Sequence, residues 1–446
     1  MLTTDAPAQG LARAIGVRAL AASIFNMTVG AGIFALPAVV AADLGPAAPL
    51  AYGVCAAMMA LVVLCFAETG SRVVGAGGAF AYSSRAFGPC VGFVIGVLLY
   101  LGSQLLASAS VAAVLAGTLG DAVPAVRSGM GRACGLIVVF GIIAFVNSRS
   151  VRSGTRLIQR ITVAKVAPLI ALICGGIWFI HPVNLLWPRV PSASSIGRSA
   201  VVLVFAFTGM ECALATSGEV ATPARTVPRA IAVGLVVTTT LYLLLQLVSQ
   251  GVLGADLPRH PGAPLAAVAE ALAGAPGRAI MLGAASVSAL GYICADVLSS
   301  PRSLFALARD GMLPAPLARV HPRFRSPHVA IWTHAALACG LAIAGTFRQL
   351  AALSSVATLC VYEVCCLATI ELRRRRIQDA GRPFLIPGGY LVPLLALGVV
   401  LWLLISARQA EIAALAITVS VALAGYGGVA LVRRLRTVTQ TRGEWP

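Results

Sequence analysis

Apolar runs of about 20 residues, each long enough to cross a bilayer, recur along this chain from residue 19 to residue 432. They leave little polar surface to meet water. Charged residues make up 11% of the 446, against roughly 25% in soluble domains, and the mean hydropathy is +0.92. In lipid only a helix closes its backbone hydrogen bonds within a single run of this kind, so the pattern dictates an all-α polytopic membrane protein. Helices are predicted at 19–42, 47–71, 87–117, 130–147, 157–180, 196–217, 228–251, 277–305, 327–346, 350–371, 388–407 and 411–432, which gives about 12 spans.

The net charge of +18 raises the question of nucleic acid. The basic residues lie between apolar runs and form no single patch, so no nucleic-acid partner is expected, only the lipid bilayer. The opening "MLTTDAPAQG" has no basic n-region and no A-x-A site follows the first apolar run, so no cleaved signal peptide is expected. With the N-terminus placed in the cytoplasm, 24 arginines, including the run Arg373 to Arg376, fall on that side and 8 on the other. The positive-inside rule then puts both termini in the cytoplasm of a multi-pass protein of the cell (inner) membrane. The 11 cysteines contain no C-x-x-C pair; those inside apolar runs, such as Cys365 and Cys366, read as small buried hydrophobes.

Two spans are interrupted. The first holds "NMTVGAGIFALP", with Gly30, Ala31 and Gly32 at mid-membrane depth and Pro37 beyond. The sixth, "VVLVFAFTGMECALATSGEV", holds Thr208 and Gly209 before the acidic Glu211. Each opens a block of five helices, so residues 19–180 and 196–371 read as inverted repeats of one transporter domain, with 388–432 adding two helices. The competing reading is that such glycines only allow close packing, as expected for Gly92 and Gly96.

A break in a spanning helix frees N–H and C=O groups that lipid cannot satisfy, so they must face a cavity or a ligand. The half-helix beginning near Ile33 offers N–H groups and partial positive charge, which suit a carboxylate. The half-helix ending near Thr28 and Val29 offers carbonyls, which suit an ammonium, and Phe207 to Gly209 repeats that offer. Two facing breaks would hold a zwitterion by backbone atoms, with glycine allowing close approach.

Four stretches resemble the amino acid–polyamine–organocation superfamily: "VGAGIFALP" in helix 1, "FAETGSRVVGAGGAFAYSSRAFGPCVGF" from Phe66, "FAFTGMECALATSGEVATPARTVPRAI" from Phe205 and "SPRSLFALARDGMLP" from Ser300. The likeness runs from about residue 15 to 435. It implies a five-plus-five inverted repeat with broken helices 1 and 6, and amino acid transport by alternating access. On that pattern the backbone at Gly30, Ala31 and Gly32 takes the substrate carboxylate, and carbonyls at Thr28, Phe205 and Thr208 take its ammonium. Gly209 and Asp296 complete the implied substrate site. Phe205 matches an aromatic gate. In the arginine/agmatine antiporter of the family tryptophans stand at the positions of Phe205 and Asp296; both are missing here, which argues against guanidinium stacking. Glu211 matches a glutamate tied there to pH sensing.

Lys165 is the single lysine, against 32 arginines. A fixed positive charge would be expected as Arg in such a chain, whereas only lysine can deprotonate when desolvated. It lies about 7 Å deeper than Arg160 at 1.5 Å per residue, so snorkelling to the headgroups is the competing reading. In sodium-independent relatives a lysine at the matching position replaces a sodium ion beside the helix 1 break. The resemblance therefore implies proton coupling at Lys165, with Ser299 or Ser300 nearby. Asp296, the other deep charge, either pairs with Lys165 or lines the pocket. Glu68 and Glu363 read as structural, and Gln104 as a polar pocket candidate. "SRVVGAGGAFAYSSRAFG" reads as a moving loop, and Pro223 and Pro228 as the boundary between helices 6 and 7.

These features favour a secondary amino acid transporter, proton-coupled or an amino acid/amine exchanger, over an enzyme or channel. H-E-x-x-H and G-x-S-x-G are absent, and the sole lysine is followed by Val166, which removes any phosphate-binding loop. The five histidines (His181, His260, His321, His328, His334) read as scattered among loops and one helix start. No cofactor and no metal are expected. A channel would need a continuous polar lining. Small apolar residues on the expected wall favour a neutral amino acid, Asp296 keeps a cationic one open, and the assembly is expected to be a monomer or homodimer.

Overall fold

The computed structural model describes residues 16–73, 78–126, 129–149, 155–187, 190–209, 223–309, 311, 313–379 and 383–442, which are helical with no strand. The first predicted span is two helices, α1 (Val17–Thr28) and α2 (Leu36–Leu44), joined by a 3-10 turn at Ala31–Phe34. Span 2 is α3 (Ala48–Arg72). Span 3 is α5 (Pro89–Leu99), a π-helical stretch Tyr100–Leu106, and α6 (Ala107–Ala122). α7 (Gly129–Arg149) and α8 (Thr155–Gly176) follow, then α9 (Ala193–Phe207), α10 (Pro223–Leu253) and α11 (Pro264–Ser299). The chain closes with α13 (His328–Ala344), α14 (Phe347–Arg374), α15 (Leu391–Ser406) and α16 (Gln409–Arg442). Two short helices, α4 (Ala79–Phe87) and α12 (Pro301–Arg309), complete the set.

Seven described helical stretches are long and apolar enough to cross a membrane, and four shorter apolar helices occupy other predicted spans. Of span 1, the 12-residue α1 is in neither group, because the break cuts it short, while α2 runs on with α3 in the stretch Leu36–Arg72. Burial sorts the bundle: 72% of the apolar window of α14 is buried, against 6% for α16. α14 contacts α3, α9 and α15 and forms the centre, while α16 is peripheral. On α7 the exposed Ile137, Val138, Ile142, Phe145 and Val146 recur at helical spacing on one face, the face a helix turns to lipid. Cys365 and Cys366 are buried as expected.

Local chemistry sets several boundaries. Thr346 and Gln349 form a reciprocal capping box that starts α14, and the Ser192 hydroxyl accepts the Ser195 N–H to start α9.

Three expectations are corrected. The expected loop between spans 2 and 3 contains α4, because Ala79–Phe87 is amphipathic and the bare surface of α5 at Gly92 and Gly96 receives its Ser84 and Phe80. A Cβ on Gly96 would lie 3.3 Å from the Phe80 ring, so these glycines serve close packing, as read. α10 begins at Pro223, where a missing N–H costs nothing, so Pro228 lies inside the helix rather than at its start. α11 begins at Pro264, earlier than the predicted 277, because a bend at Gly274 (φ 64°) turns an outer segment into the spanning part.

Candidate functional site

The helix 1 break is a tight turn. Val29 adopts φ −74° and ψ 82°, the inverse γ-turn conformation, and the Gly30 N–H donates to the Thr28 carbonyl at 2.8 Å. The chain then re-enters helix through the 3-10 turn at Ala31, whose first N–H groups have no acceptor within their own turn. At the second break α9 ends at Phe207, Thr208 is extended (φ −65°, ψ 154°), and Gly209 takes φ +105°. That left-handed backbone favours glycine. A methyl on Gly209 would also lie 3.0 Å from the Met27 carbonyl oxygen, so the two breaks abut. Glu211 lies outside the described residues.

Beside them is a cavity of about 480 Å³ walled by α1, α6, α8, α9, α10 and α11. Thr28, Gly30, Ala31, Gly32, Phe205, Thr208, Gly209, Lys165, Asp296, Ser299 and Ser300 all reach it. A Cβ on Gly32 would lie 2.8 Å from Phe205 Cε1. Thus the Phe205 ring rests on the bare backbone of the break, backed edge-on by Phe347 at 5.8 Å.

Two of the three expected carbonyls, those of Thr28 and Phe205, are already engaged. Thr28 C=O accepts the Gly30 N–H and also the Tyr242 hydroxyl at 3.0 Å, which fills both its lone pairs. Phe205 C=O accepts the Thr208 hydroxyl at 2.8 Å. Tyr242 also lies 3.0 Å from the Ala206 carbonyl, so one phenol of α10 bridges both helix ends. A tyrosine in an apolar helix reads as core, and no sequence signal separates it.

Lys165 is 7% exposed and its Nζ donates to the Asn26 carbonyl at 2.9 Å. It turns inward to the last turn of α1 instead of snorkelling. Of the two readings of Asp296, pairing with Lys165 or lining the pocket, the described structure has the second: Asp296 lines the cavity and its carboxylate is bonded elsewhere. Asp296 Oδ2 lies 2.8 Å from His334 Nε2, and Oδ1 accepts the Ser300 hydroxyl. His334 Nδ1 lies 3.1 Å from the Tyr100 hydroxyl. His334 is therefore neither in a loop nor at a helix start: it sits inside α13, fully buried. Ser299 bonds the Ala295 carbonyl at 2.9 Å, so of the two serines Ser300 joins the network.

Gln104 lies in the π-helical stretch and lines the cavity, with its Oε1 buried and unpartnered. Single π turns recur at functional sites because they re-aim one side chain. Glu68 stands apart from the cavity, clasped by Arg72 and Arg373. Among the described residues no cluster of His, Cys, Asp or Glu could hold a metal ion.

The sequence profile described as "Amino acid permease" matches residues 15–427. Three relatives come from Bacillus subtilis. A methylthioribose transporter is 29% identical, covering 91% of this chain and 90% of its own. A branched-chain amino acid permease is 26% identical, with 89% of each chain covered. A serine/threonine exchanger is 25% identical, covering 93% of this chain and 96% of its own.

Proposed function

The chain belongs to the amino acid permease family, and from that premise we propose that it carries a neutral amino acid across the cell membrane by alternating access, coupled to protons. It is a membrane transporter and not an enzyme. The observation that carries the finer reading is the meeting of two helix breaks at one cavity, with the sole lysine bonded to one of them. Residues 19–180 and 196–371 act as two five-helix repeats, supported by the break at the first span of each.

In this reading the N–H groups of Ala31 and Gly32 take the substrate carboxylate, and the phenyl ring of Phe205 closes over it. The Phe205 and Thr208 carbonyls take the ammonium, and Thr28 joins them when Tyr242 swings away. Charged Lys165 holds the Asn26 carbonyl and so the end of α1; losing its proton weakens that bond and frees the half-helix to move. Both termini are cytoplasmic. Two of the relatives carry names with neutral amino acids in them, which supports the substrate class.

The test is uptake into proteoliposomes of a panel containing branched-chain amino acids, serine, threonine and methylthioribose, with and without an inward proton gradient. The expected result is gradient-driven accumulation of one neutral amino acid, reduced at least about tenfold by Lys165→Ala, a change of about 1.4 kcal/mol. Uptake only against preloaded amino acid, indifferent to the substitution, would make the protein an exchanger. Accumulation of methylthioribose alone would remove the amino acid.

A further inference from the structure

We propose that Asp296, His334 and Tyr100 form a second proton-binding site of the cavity, separate from Lys165, whose occupancy sets the charge presented to the substrate side chain. The inference rests on the transport reading of that cavity.

The geometry accommodates one proton more or less without rearrangement. With the imidazole charged, Nε2 donates to Asp296 Oδ2 and Nδ1 donates to the Tyr100 oxygen. With it neutral, Nε2 still donates to Asp296, and the Tyr100 hydroxyl turns to donate to Nδ1, since a phenol can act either way. The two states differ by one proton on the imidazole, taken from or given to water, and no other bond forms or breaks. Ser300 holds Oδ1 in both.

The charge consequence follows from burial. Asp296 and His334 are 8% and 0% exposed, and of the two Asp296 lines the cavity. With His334 charged the pair is neutral. With His334 neutral the wall bears one buried carboxylate that no cation touches among the described residues, costly unless a cation arrives. Two more polar atoms line the cavity: Ser288 Oγ, two turns before Asp296 on α11, and Thr28 Oγ1 belong to residues that are each 3% exposed, and neither has a hydrogen-bond partner among the described residues.

The elements that pack against α13 or line the cavity carry other titratable groups. Lys165 of α8 and Tyr242 of α10 line the same cavity, and Tyr292 lies one turn before Asp296 on α11. On α7, Arg132 is held by the Ala342 and Gly345 carbonyls, and Arg149 by the Phe145 ring. Cys134 lies on the same helix, and His328 and Cys339 on α13 itself. α12 brings Arg302 and Arg309, α14 brings Tyr362 and Glu363, and α6 carries Asp121 near its end. The described bonds of His334 are confined to Asp296 and Tyr100.

Two readouts on the purified full chain in nanodiscs test this. The first is ligand-free NMR of isotope-labelled histidine, with the His334 signal among five identified by its loss in His334→Gln. Followed between about pH 5 and 8, where histidines as a class change charge, the signal is expected to move with pH in the wild type and to stop doing so in Asp296→Asn. The second is binding of L-norleucine and L-lysine, near-isosteric and differing by one charge. The lysine-to-norleucine affinity ratio is expected to rise with pH in the wild type, by at most about tenfold per pH unit for one proton. His334→Gln is expected to favour lysine at every pH, and Asp296→Asn to favour norleucine at every pH. A general packing defect does not give opposite, pH-independent preferences. A wild-type His334 signal flat across that range overturns the proton site. A pH-independent ratio in the wild type overturns the charge role. If neither ligand binds, the amino acid reading falls, and the imidazole titration alone decides the proton site.

Discussion

The Tyr242 hydroxyl sits 3.0 Å from both the Thr28 and Ala206 carbonyls, so a single donor ties the ends of two interrupted helices. Tyr242→Phe keeps the ring against Phe207, an edge contact at 5.3 Å, and removes only the tether. Thr28 retains its Gly30 donor, so the expected loss is about 1 kcal/mol, seen as a lower melting midpoint in detergent; an unchanged melt would show that the tether contributes nothing. Lys165→Arg tests a different property. Arginine preserves a positive charge near Asn26 but cannot release a proton, so the protein should fold while gradient-driven uptake falls at least about tenfold. Wild-type uptake by this variant would exclude proton release at residue 165. Lys165 was legible because it is the chain's only lysine, and the breaks because Gly30 to Gly32 and Thr208-Gly209 interrupt apolar runs. His334 was not legible. Its partner Asp296 is 38 residues away, and helices apolar on nearly all sides do not encode which face meets which neighbour.

Elements hide information for a related reason: irregular hydrogen bonding leaves little trace in composition. The third span reads as one uniform apolar helix, yet Tyr100–Leu106 is π-helical. That stretch brings Tyr100 to α13 and Gln104 to the cavity wall. It is seated on α14 through Gly102, whose carbonyl accepts the Ser354 hydroxyl at 2.7 Å. A Cβ at Gly102 would lie 2.7 Å from the Ala357 Cβ and 3.2 Å from the Ser354 carbonyl oxygen, and neither atom belongs to a flexible chain end. Gly102→Val should therefore force the span off α14 and destabilise the protein by roughly 1–3 kcal/mol. The displacement should also disturb the Tyr100–His334 contact. Loss of melting temperature with the His334 NMR signal unmoved would mean that the π stretch does not position that network. The same logic explains the misread loop before α5: Gly-rich flanks concealed a helix whose Ser84 needs the bare surface at Gly92.

At the scale of the whole molecule, one knot fastens the end of the second span to the end of the tenth. Glu68 of α3 accepts Arg72 Nε at 2.9 Å and Arg373 Nε at 2.6 Å, and its other oxygen accepts the Ile386 N–H at 3.0 Å. The segment after α14 is strapped to the same helix end: Asp379 N–H donates to the Arg72 carbonyl and Phe384 N–H to the Ser71 hydroxyl, both at 2.9 Å. Sequence correctly assigned Glu68 a structural part, but the partner 305 residues away could not be read. Glu68 and Arg72 are buried and Arg373 is largely so, so removing the single anion leaves two uncompensated cations beside each other. Breaking a buried pair in this way costs roughly 3–5 kcal/mol. Glu68→Gln, which can still accept the Ile386 N–H, is thus expected to lower the melting midpoint more than any cavity substitution. Arg373→Met should cost less on the Glu68→Gln background than on the wild type, because it then removes one of the stranded charges instead of a partner. Non-additivity of this sign is the mark of groups acting as one unit. Strictly additive losses would mean that the two helix ends are held together by packing alone and that the ion pairs are bystanders.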